Sequence, residues 1–368
     1  MSDIKTKLPP GGKPTQKVRD ANFELLRIVS MLMVLCLHFN KFGSITKYTD
    51  SLQYPKEFFF FNFVEYACFI AVNLFVMITG YYMINKQIKL SRAVSLWNEV
   101  AFYSVSLYLI VTLGFTHDFT WKGLVESCFV VLFNRYWFMS AYLALFLTIP
   151  FLNKLLDDLD RNRHLLLVLL LTVFLVLIPI KGSTVFESRN GYSYLWFLYL
   201  YIVGGFIRRY WKLKINKLLL CAVFVAFASL KVMIKWMEGG TGNYRVSYNN
   251  VFIVIETLAV FLFFKDLNIK NRILSKCIIA VSPLTLAVYL IHIQKQVSPV
   301  LWKALHPYTY VGTVQVYGAF VVDVLGIFIV CCAIEKLRQI LFKGVEKLFR
   351  IDKLYQRLDS GFSKIMYR

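Results

Sequence analysis

FELLRIVSMLMVLCLHF, residues 23–39, is an almost wholly apolar run that contains three ionisable side chains, Glu24, Arg27 and His38. On an α-helix, residues eleven apart return to within roughly 20° of one azimuth, so Arg27 and His38 share a face, about 16.5 Å apart along the axis. Ionisable groups in membrane helices are costly and usually line a cavity or a pathway. The alternative is that Arg27 extends to the lipid headgroups while His38 is a hydrogen-bonded interfacial histidine.

The composition extends this apolar pattern to the whole chain. Of the 368 residues, 58% are hydrophobic and 17% are charged, and the mean hydropathy is +0.58. Soluble domains are about 45–50% apolar and about 25% charged. The sequence therefore predicts an all-α, polytopic membrane protein with one membrane domain. The net charge of +21 would suit nucleic acid, but the basic residues lie in short loops between apolar runs, so no nucleic-acid partner is predicted.

Ten membrane-spanning helices are predicted, each long enough to cross about 30 Å of hydrocarbon. Lys and Arg are concentrated in both tails and in alternate loops, which places both termini in the cytoplasm. Residues 1–20 are predicted to be a disordered basic tail, residues 21–341 the transmembrane domain, and residues 342–368 a basic amphipathic cytoplasmic tail. The predicted spans are 22–41, 58–83, 93–115, 136–156, 164–181, 192–209, 216–236, 248–265, 277–296 and 313–336.

Two further segments are predicted to lie on the membrane surface. Residues 119–133 are too short to span comfortably and favour an external interfacial helix, and residues 342–366 interleave apolar and basic residues as an amphipathic helix on an anionic leaflet does. For both, the alternative is an ordinary loop or tail. The seven cysteines lie mostly within apolar runs without metal-ligand spacing, so neither a disulfide framework nor a metal site is predicted.

The predicted depth in the membrane divides the polar residues into two groups. Glu24 and Arg27 lie at the cytoplasmic end of the first span. Acids, imidazoles and an amide lie in the middle and outer parts of the spans: His38, Glu65, Asn73, Glu256, His292 and Asp323. A basic inner mouth with titratable groups further out is typical of a reaction chamber reached from the cytoplasm. The principal alternative is a permeation path.

Motifs of soluble hydrolases, nucleotide-binding proteins and zinc proteases are absent: there is no G-x-S-x-G, Walker A or H-E-x-x-H. Any chemistry must then use the polar residues within the spans. Glu24-Leu-Leu-Arg27, followed by ten residues and His38, resembles the Arg-x10-His motif of the membrane acyltransferase-3 family, in which Asp is commoner than Glu at the first position.

Four further segments are similar to segments of that family, in the same order. The resemblance covers about residues 22–340, and the opening NFELLRIVSM is most similar to members that O-acetylate bacterial surface and capsular polysaccharides. Thr79 stands where the family usually has Ser. The four segments are VNLFVMITGYYM (72–83), RYWFMSAYLALFLTIPFLN (135–153), YSYLWFLYLYIVGGFIRR (192–209) and LTLAVYLIH (284–292).

The resemblance implies a multi-pass enzyme of the bacterial plasma membrane, with acetyl-CoA as donor and a hydroxyl of a polysaccharide or its lipid-linked precursor as acceptor. Arg27 would then meet the phosphates of CoA, since a guanidinium group matches phosphate oxygens. His38 would act as a general base or as a nucleophile that carries the acetyl group. Glu24, three positions before Arg27, is placed to pair with it and to orient it.

Further residues are assigned more loosely. Asn73, Thr79, Trp137 and Tyr142 are predicted to bind the donor, although membrane aromatics more often pack or anchor. Tyr289 is predicted to contact the sugar or the pantetheine arm, with the same alternative.

A catalytic imidazole usually has a second group that fixes its tautomer. We expect such a partner within about 3.2 Å of a His38 ring nitrogen. Glu65, Asp323 and His292 lie at the right depth, and Glu256 lies deeper and ranks lower. Each of these is also consistent with a purely structural polar contact.

Two alternatives to the acetyltransferase stay open at this level. One is a non-enzymatic polysaccharide or lipid transporter, which would need none of the five family segments. The other is an acyltransferase that uses another acyl group, such as succinyl. The sequence predicts neither the sugar, nor the modified hydroxyl, nor the oligomeric state.

Overall fold

The computed structural model describes residues 20–181, 185–186, 188–239, 246–348 and 350–367, and within these ranges it contains helices and turns but no strand. The predicted all-α class is thereby confirmed. Of the tail predicted at 1–20, all but the last residue lies outside the described residues. The α-helices are α1 (Ala21–Phe42), α2 (Ile45–Tyr48), α3 (Pro55–Cys68), α4 (Ala71–Met83), α5 (Leu90–Gly114), α6 (Trp121–Cys128), α7 (Trp137–Asp157), α8 (Arg161–Thr172), α9 (Tyr194–Tyr210), α10 (Lys217–Met237), α11 (Val251–Lys265), α12 (Arg272–Val281), α13 (Thr285–His292), α14 (Val297–Leu305), α15 (Gln315–Leu348) and α16 (Ile351–Met366).

Eight helical stretches within the described ranges are long and apolar enough to cross a membrane, as expected of a polytopic membrane protein. They match eight of the ten predicted spans: Ala21–Phe42, Pro55–Met83, Leu90–Gly114, Trp137–Asp157, Arg161–Ile180, Lys217–Met237, Arg272–His292 and Gln315–Gly344. The other two predicted spans are α9 and α11, of 17 and 15 residues. These two helices are largely buried among the others, so their length is not set by contact with lipid. The number ten stays a prediction.

The ninth predicted span is interrupted, and its sequence explains why. Residues Ser282–Leu284 form a 3₁₀ turn between α12 and α13. Pro283 has no N–H to donate, so the α-helical hydrogen-bond ladder is interrupted there, although Ser282 itself keeps helical dihedral angles. Ser282, the first residue of this turn, contacts α1 through its side chain, as described below.

Close packing of α4 on α9 forms the centre of the bundle. A Cβ atom at Gly80 would collide with the carbonyl oxygen of Tyr201, and one at Gly204 would collide with the carbonyl oxygen of Met77. Small residues at such crossings let helix backbones approach closely in membranes. The α4–α9 pair therefore supplies a rigid wall on one side of the site.

The two predicted surface segments differ from the prediction in extent. In 119–133 the helix is only α6, which ends at Cys128. The residues that follow, FVVLF, are aromatic, β-branched or bulky, and Val130 is buried in the bundle, so the chain leaves the surface helix there. In 342–366 one continuous helix was expected, but α15 continues to Leu348 and α16 begins at Ile351, after Arg350 adopts a left-handed conformation.

Candidate active site

One face of α1 lines a central cavity of about 280 Å³. Arg27, Met31, Val34 and His38 all border the cavity, and their spacing of four, three and four residues is that of a single helix face. The prediction that Arg27 and His38 share a face is thus confirmed. The remaining lining residues come from α1, α4, α5, α7, α13 and neighbouring turns: Leu37, Val72, Phe75, Thr79, Leu96, Trp137, Phe138, Met139, Tyr142, Tyr248, Thr285, Leu286, Tyr289 and Ile293.

Arg27 is fixed at one end of this cavity by Glu24. Arg27 Nη1 donates to Glu24 Oε1 at 2.6 Å, and Ser282 Oγ donates to Glu24 Oε2 at 2.5 Å. Glu24 is only 6% exposed, whereas the Arg27 side chain is 32% exposed. The predicted Glu24–Arg27 pair is confirmed, and Ser282 is a second partner that the sequence did not predict. The buried carboxylate thereby holds the guanidinium group at the cavity entrance.

A larger cavity of about 820 Å³ lies next to Arg27 and is also lined by Asp20, the first described residue. Arg27, Thr285 and Leu286 border both cavities. The larger one is also lined by three further cations, Lys86, Arg92 and Arg208. Arg27 therefore stands where a basic vestibule meets the central cavity, which is the electrostatic setting that phosphate groups favour.

His38 lies at the other end of the central cavity and is hydrogen-bonded to His292 of α13. The distance from His38 Nδ1 to His292 Nε2 is 2.7 Å. Within α13, the other nitrogen of His292, Nδ1, is hydrogen-bonded to the carbonyl oxygen of Val288. The expected partner within about 3.2 Å of His38 is therefore present, and it is the histidine rather than a carboxylate.

The two hydrogen bonds fix the proton positions when both rings are neutral. The Val288 carbonyl oxygen can only accept, so His292 Nδ1 carries a proton and His292 Nε2 is an acceptor. His38 Nδ1 must then donate to His292, which leaves His38 Nε2 without a proton. The chain of bonds thus makes Nε2 the basic nitrogen of His38.

Aromatic and hydroxyl side chains predicted to contact the ligands do line the cavity. Thr79 Oγ1 lies 3.2 Å from Tyr142 OH, and Trp137 packs with its ring centroid 5.9 Å from that of Tyr248. The Tyr289 hydroxyl is buried and interacts with the backbone of Phe138, but it forms no full hydrogen bond within the described residues. An unsatisfied buried hydroxyl costs free energy, which a polar group of a ligand in the cavity would recover.

Asn73 lies away from the cavity, so the structure does not support its predicted role in donor binding. Its amide nitrogen donates to the Tyr248 carbonyl at 2.9 Å, and its oxygen accepts from Trp196 Nε1 at 2.9 Å. The side chain is completely buried, with both ends of its amide used between helices. The physical reason is packing: a buried amide on a membrane helix is satisfied by its neighbours.

The three candidate carboxylates also lie outside the cavity lining. Glu256 forms an ion pair with Lys231, and both side chains are completely buried. Glu65 interacts electrostatically with Lys235 and Lys41, and Asp323 of α15 interacts with His306. Glu65 and Asp323 are predicted to lie at the depth of His38 and Glu256 deeper, but all three side chains interact with other partners.

Lys231, the partner of Glu256, was not predicted from the sequence. It also donates to the Tyr66 carbonyl at 3.1 Å, so it links α10 to α3 as well as to α11. A signal was available, because Lys231 is a single charge inside the apolar run of α10. Such a residue indicates a buried partner of opposite charge.

The family model described as an acyltransferase domain, Acyl_transf_3, matches residues 20–335. This range contains every residue that lines the central cavity. No curated protein and no solved structure matches the chain.

Proposed function

The chain belongs to the acyltransferase-3 family, and we propose that it is an O-acetyltransferase of the bacterial plasma membrane. The donor is cytoplasmic acetyl-CoA, and the acceptor is a hydroxyl of a cell-surface, capsular polysaccharide or of its lipid-linked precursor. One observation carries the proposal: Arg27 and His38 border the two ends of one cavity along one face of α1, and the basic nitrogen of His38, Nε2, has no hydrogen-bond partner among the described residues. A phosphate-binding group and a proton acceptor are what this transfer needs.

The basic vestibule is suited to the phosphates of the donor. Arg27, Lys86, Arg92 and Arg208 provide the positive charge, and a guanidinium fork binds phosphate oxygens in pairs. Glu24, held in turn by Ser282, keeps Arg27 from turning away. The extended pantetheine arm would then follow the face of α1 past Met31 and Val34 towards His38.

At the far end of the cavity, His38 Nε2 accepts the proton of the sugar hydroxyl. The hydroxyl oxygen attacks the thioester carbonyl carbon, the carbon–sulfur bond breaks, and the CoA thiolate leaves and takes up the proton. Tyr289, whose hydroxyl forms no full hydrogen bond within the described residues, is placed to donate to the carbonyl oxygen as negative charge develops there. Alternatively, Nε2 itself attacks the carbonyl carbon and carries the acetyl group before the sugar does.

The test is the O-acetyl content of the cell's polysaccharide in strains that carry His38→Ala or the parent gene. We expect His38→Ala to abolish O-acetylation with the protein still present in the membrane. His117→Ala, in an exposed loop, is the matched control and should keep full activity. Normal O-acetylation by His38→Ala would contradict the proposal.

Arg27 is tested through the donor. We expect Arg27→Ala to raise the KM for acetyl-CoA by about tenfold to a hundredfold, the effect of losing a hydrogen-bonded charge pair. Arg27→Lys should recover only part of this, because a point charge does not reproduce the fork. An unchanged KM in Arg27→Ala would remove Arg27 from donor binding.

A further inference from the structure

At the His38 end of the bundle, a third cavity of about 460 Å³ lies beyond the central one. We call it the distal pocket. It has two lysines, two serines and three aromatic residues in its lining, and none of its lining residues is acidic. The lining residues are Phe42, Ser44, Ile293, Lys295, Ser298, Pro299, Trp302, Lys303 and Tyr308.

The two lysines give the distal pocket a positive charge without a counter-ion. Lys295 and Lys303 are both exposed, and neither forms an ion pair with any carboxylate of the described residues. Lysines on this side of the bundle are sparse, as the topology rule predicts for an external face. Two of them at one pocket therefore favour an anionic ligand.

The aromatic residues supply the surface that a sugar ring needs. Tyr308 is 39% exposed and its ring stacks on that of Tyr48, with centroids 5.1 Å apart. Trp302 is only 5% exposed, and its Nε1 is buried with no hydrogen-bond partner in the described part of the chain. A buried N–H that lines a pocket without a partner is costly unless a ligand accepts from it.

The distal pocket is adjacent to the histidine pair. Ile293, the residue after His292, lines both the central cavity and the distal pocket. The ring of Phe42 lies 5.0 Å from that of His38, centroid to centroid, and also lines the distal pocket. A ligand in the pocket is thus one side chain away from the base.

We propose that the distal pocket is the acceptor site and that it selects an anionic sugar. A carboxylate or phosphate of the glycan is bound by Lys295 and Lys303, a sugar ring packs on Tyr308, and a polar oxygen accepts from Trp302 Nε1. This inference rests on the proposed function and narrows its acceptor to glycans that carry acidic groups.

The experiment measures binding to the full-length protein in phosphatidylcholine nanodiscs by calorimetry. The carboxylate probe is a tetrasaccharide of alternating glucuronic acid and N-acetylglucosamine, the phosphate probe is N-acetylglucosamine 1-phosphate, and the neutral probe is the carboxyl-reduced tetrasaccharide. We expect at least one anionic probe to bind about tenfold more tightly than the neutral one. Lys295→Gln/Lys303→Gln should lose about tenfold in affinity for that probe, as expected for two partly exposed charge contacts.

The matched control removes two other exposed lysines from the same side, in Lys56→Gln/Lys122→Gln, and should bind as the parent does. Equal binding of neutral and anionic probes, or an unchanged affinity in the Lys295/Lys303 variant, would overturn the proposal. An equal loss in both double variants would also overturn it, because the effect would then be one of net charge. A fourth outcome would overturn the proposal as well: in nanodiscs that also contain phosphatidylglycerol, the probe no longer binds and the protein retains this lipid through the two lysines. The pocket would then hold a lipid headgroup.

Failure of the pocket and failure of the enzyme are separable. The His38→Ala protein should bind the anionic probe as tightly as the parent. If lysine-dependent binding persists but the parent shows no acetyl transfer, the proposed function fails and the binding site stands. If transfer occurs and the Lys295/Lys303 variant binds normally, the pocket assignment alone fails.

Discussion

His292 reaches His38 from a different helix, so replacing it tests whether the two rings work as a unit. In His292→Ala, His38 Nδ1 loses its acceptor, and nothing then keeps the proton off Nε2. A hydrogen bond to a group that becomes charged contributes about 1.5–3 kcal/mol, which corresponds to a loss of roughly tenfold to 150-fold in kcat. Because the proposed site for the donor phosphates lies at the other end of α1, the KM for acetyl-CoA should stay within about twofold.

The conservative variant makes the test specific. In His292→Gln the side-chain amide lies near the former position of Nε2, and its oxygen can accept from His38 Nδ1. Relative to the parent, His292→Ala lowers log kcat by some amount, and we expect His292→Gln to restore at least a third of that decrease. The assay is the initial rate of O-acetyl transfer from labelled acetyl-CoA by membranes that contain equal amounts of folded protein.

His164 is a suitable control because it is the same residue type in a similar setting. It is completely buried, and its Nε2 lies 3.2 Å from the Ile202 carbonyl oxygen, away from the central cavity. His164→Ala should lower thermal stability about as much as His292→Ala but leave kcat per folded molecule near that of the parent. A normal kcat in His292→Ala, or an equal fall in both alanine variants, would refute the coupling of the two rings.

Two further predictions concern the fold. Single cysteines at Lys47 and Lys212 should react with a membrane-impermeant reagent from outside and from inside the cell, respectively; labelling of both from one side would contradict the predicted topology. Lys231→Met should lower the free energy of unfolding by about 3–5 kcal/mol because it leaves the Glu256 carboxylate buried alone, whereas Lys231→Met/Glu256→Leu should recover most of that loss. Thermal unfolding in detergent measures the stability of the single and the double variant. A double variant as unstable as the single one would contradict this prediction, because the ion pair itself would then be required for stability.

The sequence was sufficient to predict how Glu24, Arg27 and His38 are arranged along α1. The spacing of Arg27 and His38 requires only helical geometry, and Glu24 lies one turn before Arg27, so these relations do not depend on the rest of the fold. The spans could likewise be found from hydropathy, because apolar length is what crossing a bilayer demands. The requirement for apolar length applies less strictly to interior helices such as α9 and α11, because protein rather than lipid surrounds them.

The partner of His38 could be narrowed from the sequence but not chosen. Topology gives the depth of a residue, whereas its azimuth depends on how each helix is rotated against its neighbours. Glu65 and Asp323 satisfy the first condition and fail the second. Only His292 satisfies both, and the three-dimensional packing of α13 against α1 was needed to show it.

The break at Pro283 contributes to the site because it lengthens the segment between Ser282 and His292. The segment from Ser282 to His292 contacts α1 at both ends, at Glu24 and at His38. Fourteen residues of α1 rise about 21 Å, whereas ten residues of an unbroken α-helix rise about 15 Å. The three residues of the 3₁₀ turn add about 1.5 Å to the shorter path, since each rises about 2.0 Å instead of about 1.5 Å, and the side chains that form the two contacts bridge the remaining difference. A continuous helix through 282–284 would bring its ends closer together, so the proline break helps one segment hold both the guanidinium group and the imidazole of α1.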